Sequence, residues 1–223
     1  MRGALLFDID GTMADTDAIH LEAFNIVLGR YGHSFDRPRY TTDLQGHANL
    51  SISARFLPGL TADEQAAVMD AKEAAFRDLF RDLVAPMPGL LALLDRADAS
   101  GVPVVAVTNA PRANAEMLLG GIGITHRFAA LVIGEELPHG KPHPLPYLEG
   151  LQRAGADAAR SVAFEDSRSG IASATAAGIA TIGIRSSLGH EQMIEAGAVM
   201  SAENFSDPAL LKFIESKLPE LRV

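Results

Sequence analysis

The stretch Leu5-Leu6-Phe7-Asp8-Ile9-Asp10-Gly11-Thr12 carries the reading of this chain. Leu5, Leu6 and Phe7 make a short apolar run that reads as a strand. Two acids follow, two residues apart, and a glycine comes straight after them. Carboxylates at the end of a buried strand need a partner or a metal. Side chains at i and i+2 of a regular strand share one face, so Asp8 and Asp10 repel unless something positive lies between them. A divalent cation meets that need, and hard cations take oxygen ligands. Gly11 suits a sharp turn. On its own the pattern leaves a plain acid-rich turn open, because Asp-Gly is an ordinary turn pair.

Composition narrows the classes. The chain has 223 residues, 48% of them hydrophobic, enough for a sizeable core in one domain or in two unequal ones. The formal net charge is -9, and Lys and Arg are not clustered. That argues against nucleic acid as a partner, although a local pocket can still draw an anionic small molecule. Cysteine is absent, which removes disulfides and thiolate chemistry. No basic segment leads into an apolar stretch and cleavage site, and no run reaches membrane-spanning length. The expectation is a cytoplasmic protein with no membrane partner and no obligate protein partner.

Along the chain, Ile19, Ala23, Ile26 and Val27 share a helical face, with Asp15 or Asp17 placed to cap the first turn. Gly32 to Pro38 interrupts the pattern, and residues 41–56 read as a further helical region. Thr61-Ala62-Asp63-Glu64 is a capping box. It opens a helix over Ala62 to Leu83, with Ala67, Val68, Ala71, Ala75, Leu79 and Leu83 as its apolar positions. After Pro86 the pattern changes. Apolar runs at 102–107, 128–133, 161–164, 180–184 and 198–200 alternate with helical segments at 89–100, 112–119 and 169–177 and with a loop-then-helix stretch at 142–152. A last helix covers 207–218. Alternation of this kind argues a parallel sheet of βαβ units, and continuous apolar strands fit a sheet covered on both faces. The block 15–85 then interrupts an α/β domain after its first strand. The expected organisation is a core of 1–14 and 86–223 with an all-helical insert of 15–85, hinged near 14–16 and 85–88.

Ligands in open α/β sheets sit outside the carboxyl ends of the strands. This chain offers Asp8 and Asp10 there, then Thr108 and Asn109, then Glu165, Asp166 and Ser167. Lys141 stands in the Gly140-Lys141-Pro142 loop. Taken singly, each has an ordinary reading: Thr108 as a helix cap, Lys141 as a surface lysine, Glu165-Asp166 as acids favoured at a helix start. Taken together they fall at one end of the sheet. Acids from two strand ends suit Mg²⁺, and Thr108 with Lys141 suits a phosphate clamp.

The ordered set Asp8-Ile9-Asp10-Gly11-Thr12, Thr108-Asn109, Lys141-Pro142 and Glu165-Asp166-Ser167 resembles the four motifs of the haloacid dehalogenase superfamily. Within it, the chain is similar over nearly its whole length to the β-phosphoglucomutase-like phosphatases. The resemblance implies an α/β fold with a Rossmann-like parallel sheet core and an inserted all-helical cap. It implies a Mg²⁺-dependent phosphatase that hydrolyses a small phosphorylated metabolite through a phosphoaspartate. Asp8 is then the nucleophile and Asp10 the general acid and base, its backbone carbonyl also on the metal. Asp166 completes the metal site with Glu165 in support, and Thr108 and Lys141 hold the phosphoryl oxygens. An acid at position 10 separates phosphotransfer members from dehalogenases. His20, His47 and Asn109 become candidates for substrate contact, with Asn49, Lys72 and Arg77 as further polar residues of the cap. A sugar phosphomutase is the alternative. Asn49 and Phe76, standing where that reaction wants basic residues for a second phosphate, argue against it.

Overall fold

The computed structural model describes residues 2–80 and 85–222. Strand β1 (Leu5–Phe7) is wholly buried. The chain then leaves the sheet for four helices: α1 (Asp17–Leu28), α2 (Arg37–Asp43), α3 (Asn49–Phe56) and α4 (Ala62–Leu79). It returns through α5 (Leu90–Ser100) to β2 (Val104–Thr108), α6 (Arg112–Ile122) and β3 (Ala130–Ile133). Next come α7 (Leu145–Ala154), β4 (Val162–Glu165), α8 (Arg168–Ala176) and β5 (Ala180–Ile184). The chain finishes with α9 (His190–Glu195), β6 (Met200–Ala202) and α10 (Pro208–Lys217).

The six strands form one parallel sheet in the order β3-β2-β1-β4-β5-β6. The chain winds outward from β1 through β2 to β3, then crosses back to place β4 on the other side of β1. The order therefore reverses between β1 and β4, and a crevice opens at the carboxyl ends of strands at such a point. Asp8 leaves β1 there, and Glu165 and Asp166 end β4 there. Alternation across the pleat anchors both strands. Leu5 and Phe7 join one core layer, while Leu6 joins the other with Val105, Val107 and Tyr147. Phe7 stacks on Phe164 at 4.5 Å between ring centroids, so the two strands carrying the acids are packed directly together.

The helical block has its own core of Phe24, Leu28, Phe35, Tyr40, Leu44, Ile52 and Met69. The fold is thus an α/β Rossmann-like parallel sheet with an inserted helical cap. No helix among the described residues is long and apolar enough to cross a membrane.

Several local expectations need correction. The helical region expected over 41–56 is two helices, α2 and α3, parted by a turn at Gly46 (φ 71°). A Cβ at Gly46 would lie 2.7 Å from the Ser167 side chain, so this turn presses on the sheet domain. Helix α2 also starts inside the stretch read as a break. Asp36 accepts the Arg39 N–H, and Pro38 sits in the first turn, where its missing N–H costs nothing. Asp17 does not cap α1. It is the first helical residue, and its buried carboxylate accepts from Arg37 (2.9 Å) and the Tyr40 hydroxyl (3.0 Å). Helix α4 keeps its capping box, but Ala67 and Ala71 are exposed. The buried stripe runs through Val68, Met69, Lys72, Glu73 and Phe76. The reading missed this because a mutually neutralising charged pair occupies the middle of the inward face. Leu83 lies outside the described residues. Helix α9 is a short element that the sequence reading passed over.

Candidate active site

Asp8 is fixed between strands by its own backbone, whose N–H donates to the Phe164 carbonyl at 3.0 Å. Beside it, the Lys141 ammonium donates to Asp8 Oδ1 (2.7 Å), Glu165 Oε1 (2.6 Å) and the Val107 carbonyl (2.8 Å). All three N–H groups of this buried lysine are thereby satisfied. Burial works against the Lys141 charge, yet Asp8 and Glu165 outweigh it and hold the ammonium above its ordinary pKa. For Asp8, burial dominates. It pushes the carboxyl from 3.8 up to about 7, against the pull of Lys141.

The supports are specific. Asn109 clasps the Lys141 backbone, its amide N donating to the Lys141 carbonyl (3.1 Å) and its Oδ1 accepting the Lys141 N–H (3.0 Å). Both polar atoms of Asn109 therefore position the lysine loop. The Tyr147 hydroxyl donates to Glu165 Oε1 at 2.6 Å, so that oxygen serves Lys141 and Tyr147 together. Gly170 makes room for the same carboxylate, since a Cβ there would lie 1.9 Å from Glu165 Oε2. Thr108 Oγ1 accepts the Ala110 N–H (2.9 Å) and leaves its own O–H to donate.

Asp8, Glu165 and Asp166 each offer one oxygen, and these oxygens lie within 4.8 Å of one another. Burial raises the Asp166 pKa well above the carboxylate range, and the neighbouring Asp8, Asp17 and Glu165 carboxylates add to it. Three buried carboxylates share a single ammonium, so negative charge is in excess. The donor set is all oxygen. A hard divalent cation such as Mg²⁺ fits both features.

Asp10 sits in a different environment. Its Oδ1 accepts from Thr16 Oγ1 (3.0 Å) and lies 3.1 Å from His20 Nε2. Lys72 Nζ is 3.1 Å from His20 Nδ1. An ammonium can only donate, so Nδ1 accepts and Nε2 carries the proton directed at Asp10. Burial opposes the Asp10 charge, but the His20 hydrogen bond leads the groups that bring its pKa below the ordinary value. Phe76 stacks on the imidazole at 3.9 Å and fixes its plane.

These groups open into one cleft, lined by Asp8, Asp10, Thr108, Lys141 and Asp166 from the sheet domain. His20, Gln45, His47, Asn49, Lys72 and Glu73 line it from the cap. The cap is joined to the sheet domain by apolar packing, with Ala23, Phe76 and Phe80 in the same core layer as Phe7 and Leu90, and by polar contacts. Gln45 Nε2 donates to Asp166 Oδ2 (2.7 Å), and Ser169 Oγ donates to the Gly46 carbonyl (2.6 Å). The structure thus gathers Asp8, Asp10, Thr108, Lys141, Glu165, Asp166 and His20, as the sequence reading expects. His47 lines the cleft as an exposed residue. Thr16, Gln45, Glu73 and Tyr147 were missed. A charged residue next to Lys72 on an otherwise apolar helical stripe was the one available signal for Glu73.

The sequence pattern of the haloacid dehalogenase-like hydrolases matches residues 5–184. A fructose-1-phosphate phosphatase of Escherichia coli, YqaB, is 34% identical over 182 residues, covering 81% of this chain and 95% of that protein. The crystal structure of CbbY from Rhodobacter sphaeroides in complex with phosphate superposes with a TM-score of 0.81 at 28% identity. It covers 93% of this chain and 96% of that one. A β-phosphoglucomutase from Clostridium difficile shares the fold, with a TM-score of 0.86 at 20% identity over 99% of this chain and 98% of the other. This chain belongs to the haloacid dehalogenase-like hydrolase family, in its β-phosphoglucomutase-like, helically capped branch.

Proposed function

We propose that the protein is a Mg²⁺-dependent phosphoric monoester hydrolase that acts on a small phosphorylated metabolite through a phosphoaspartate on Asp8. The observation that carries this reading is the pairing of two differently held acids in one cleft. Asp8 is clamped by Lys141 beside further carboxylates, while Asp10 is oriented by Thr16 and His20. Two titratable groups whose surroundings push their pKa values apart suit division of labour between nucleophile and proton carrier.

Asp8 attacks phosphorus, and the leaving oxygen departs with a proton from Asp10. Approach of the substrate's negative charge raises the proton affinity of Asp10 and lets it serve as an acid. Asp10 then takes a proton from the water that opens the acyl phosphate, which is ordinary covalent catalysis in two steps. Lys141 and the Thr108 hydroxyl meet the equatorial oxygens, where charge gathers in the transition state. Asp8, Asp166 and the Asp10 carbonyl would hold Mg²⁺, with Glu165 behind them. The ion would supply positive charge at the phosphoryl oxygens. Residues 15–85 act as the cap, and 1–14 with 86–223 as the catalytic core. Hydrolysis is favoured over phosphomutase chemistry because Asn49 is engaged by Glu73 (2.9 Å) and Glu135 (3.4 Å), and Phe76 by His20. Neither presents a cation to a second phosphate.

The test is phosphate release from an aryl phosphate and a panel of phosphorylated metabolites, with excess EDTA and then with Mg²⁺ restored. Activity should vanish, return, and be absent in Asp8→Asn. Full turnover in EDTA, or by pure Asp8→Asn protein, would overturn the reading.

A further inference from the structure

The cap side of the cleft carries a charge arrangement that the hydrolytic chemistry does not use. Glu73 on α4 is 5% exposed and lines the cleft. Its Oε1 accepts from Lys72 Nζ (2.9 Å) and from Asn49 Nδ2 (2.9 Å). Its Oε2 accepts from Asn114 Nδ2 on α6, across the domain boundary, at 2.5 Å. Lys72 is the one ammonium on the cap side of the cleft among the described residues, and it is already committed. It donates to Glu73 and to His20, and its Nζ lies 4.3 Å from the centre of the Phe24 ring. Asn49 also reaches Glu135 at 3.4 Å, which brings a second carboxylate beside Glu73. Burial raises the Glu135 pKa and the Glu73 charge raises it further, so the two acids act on each other. Lys72 and Glu73 therefore offset each other in place, and Glu135 beside them leaves the three groups with a formal excess of one negative charge.

We infer that Glu73 selects the far end of the substrate: the cleft takes a phosphate monoester whose remainder is uncharged and hydroxyl-bearing, and rejects a far-end carboxylate or second phosphate. The inference rests on the phosphatase reading and deepens it. A hydroxyl can donate to the Glu73 carboxylate, whose Oε2 accepts one bond in the structure and has a lone pair to spare. A carboxylate has no proton to give and brings like charge into a partly desolvated site, where such pairings are disfavoured. Glu73 is a specificity-determining residue on this account and takes no part in the chemical steps.

Matched substrates isolate the effect. Glycerol 3-phosphate and 3-phosphoglycerate differ only by CH₂OH against COO⁻ at the end away from phosphate, and glucitol 6-phosphate and 6-phosphogluconate differ in the same way. The ratio of kcat/KM within each pair should favour the alcohol by roughly tenfold or more, the effect of one unit charge at about 10 Å in a medium of effective dielectric ~20. Glu73→Gln keeps the side chain's shape and should narrow that ratio, whatever it does to absolute rates. The same pairs titrated calorimetrically into Asp8→Asn protein report the charge preference without turnover. An alcohol preference in binding with no turnover of any ester by the wild type would sink the phosphatase reading and leave this inference standing. Phosphate release with the acids used as well as the alcohols, or an unchanged ratio in Glu73→Gln, would overturn the inference and leave the phosphatase reading intact.

Discussion

Replacing Lys141 by methionine keeps most of the side-chain stem and deletes the one cation that touches Asp8 among the described residues. The lost ammonium makes three short bonds, to Asp8, Glu165 and the Val107 carbonyl. If both carboxylates stayed charged, breaking such a buried pair would cost about 3–5 kcal/mol. Asp8 has an easier course. Its pKa of about 7 means that it is already close to half protonated at neutral pH without metal. Loss of ~3 kcal/mol of support for the ionised form moves its midpoint up by about 2 pH units, to ~9. The ionised fraction at pH 7 then falls from about half to about 1%. The stability loss should stay near 1–3 kcal/mol, set by the bonding groups left unpaired. Turnover with Mg²⁺ at pH 7 should fall by roughly 100- to 1000-fold, the loss of one directed donor at the phosphoryl group. Carboxyl-carbon NMR titration of Asp8 in EDTA measures the midpoint, and urea unfolding measures stability. An Asp8 midpoint that remains near 7 in Lys141→Met would refute the electrostatic account of the nucleophile.

The packing around Glu165 makes a second case. Gly170→Ala places a methyl 1.9 Å from Glu165 Oε2 and should destabilise the fold by about 1–3 kcal/mol with a larger proportional loss of activity. Wild-type stability and rate in that variant would show that the carboxylate has room to move. Stability should also link to pH and metal. The folded pKa of Asp8 is raised, so metal-free protein binds that proton more tightly than the unfolded chain, and this contribution is lost as pH rises from about 4 through about 7. Asp166 acts in the same direction. Mg²⁺ at a hundredfold excess over its Kd should therefore stabilise the fold by ~2.7 kcal/mol at pH 7.5, and the same concentration should raise the melting temperature less at pH 5. Equal stabilisation at both pH values would contradict the carboxylate cluster as its site.

The sheet and the acids at its carboxyl edge were legible because their signals are local. Strands buried on both faces read as unbroken apolar runs, and the alternation of 102–107, 161–164 and 180–184 with helices left little choice of topology. That topology then brought Asp8, Thr108 and Glu165-Asp166 to one edge without further information. The inner face of α4 was not legible. Lys72 and Glu73 are charged residues turned inward, and only their pairing with each other, with His20 and with Asn114 allows that burial. The same holds for Asp17, which read as a cap and proved to be a buried partner of Arg37 and Tyr40. Tyr147 read only as part of a helix, and nothing local marks its hydroxyl as the support of Glu165. Partners far apart in sequence settle such residues, and hydrophobic periodicity does not see them.

The central claim is a covalent bond between phosphorus and Asp8, and trapping that bond tests it most directly. Rapid acid quench of a single turnover with phosphorus-labelled substrate, followed by tryptic mapping, should place the label on the peptide from Gly3 to Arg30, which contains Asp8. The label should be released by hydroxylamine, as an acyl phosphate is, and should rise and decay at rates that account for turnover. Turnover without labelled protein, or stable label on any other peptide, would contradict the account.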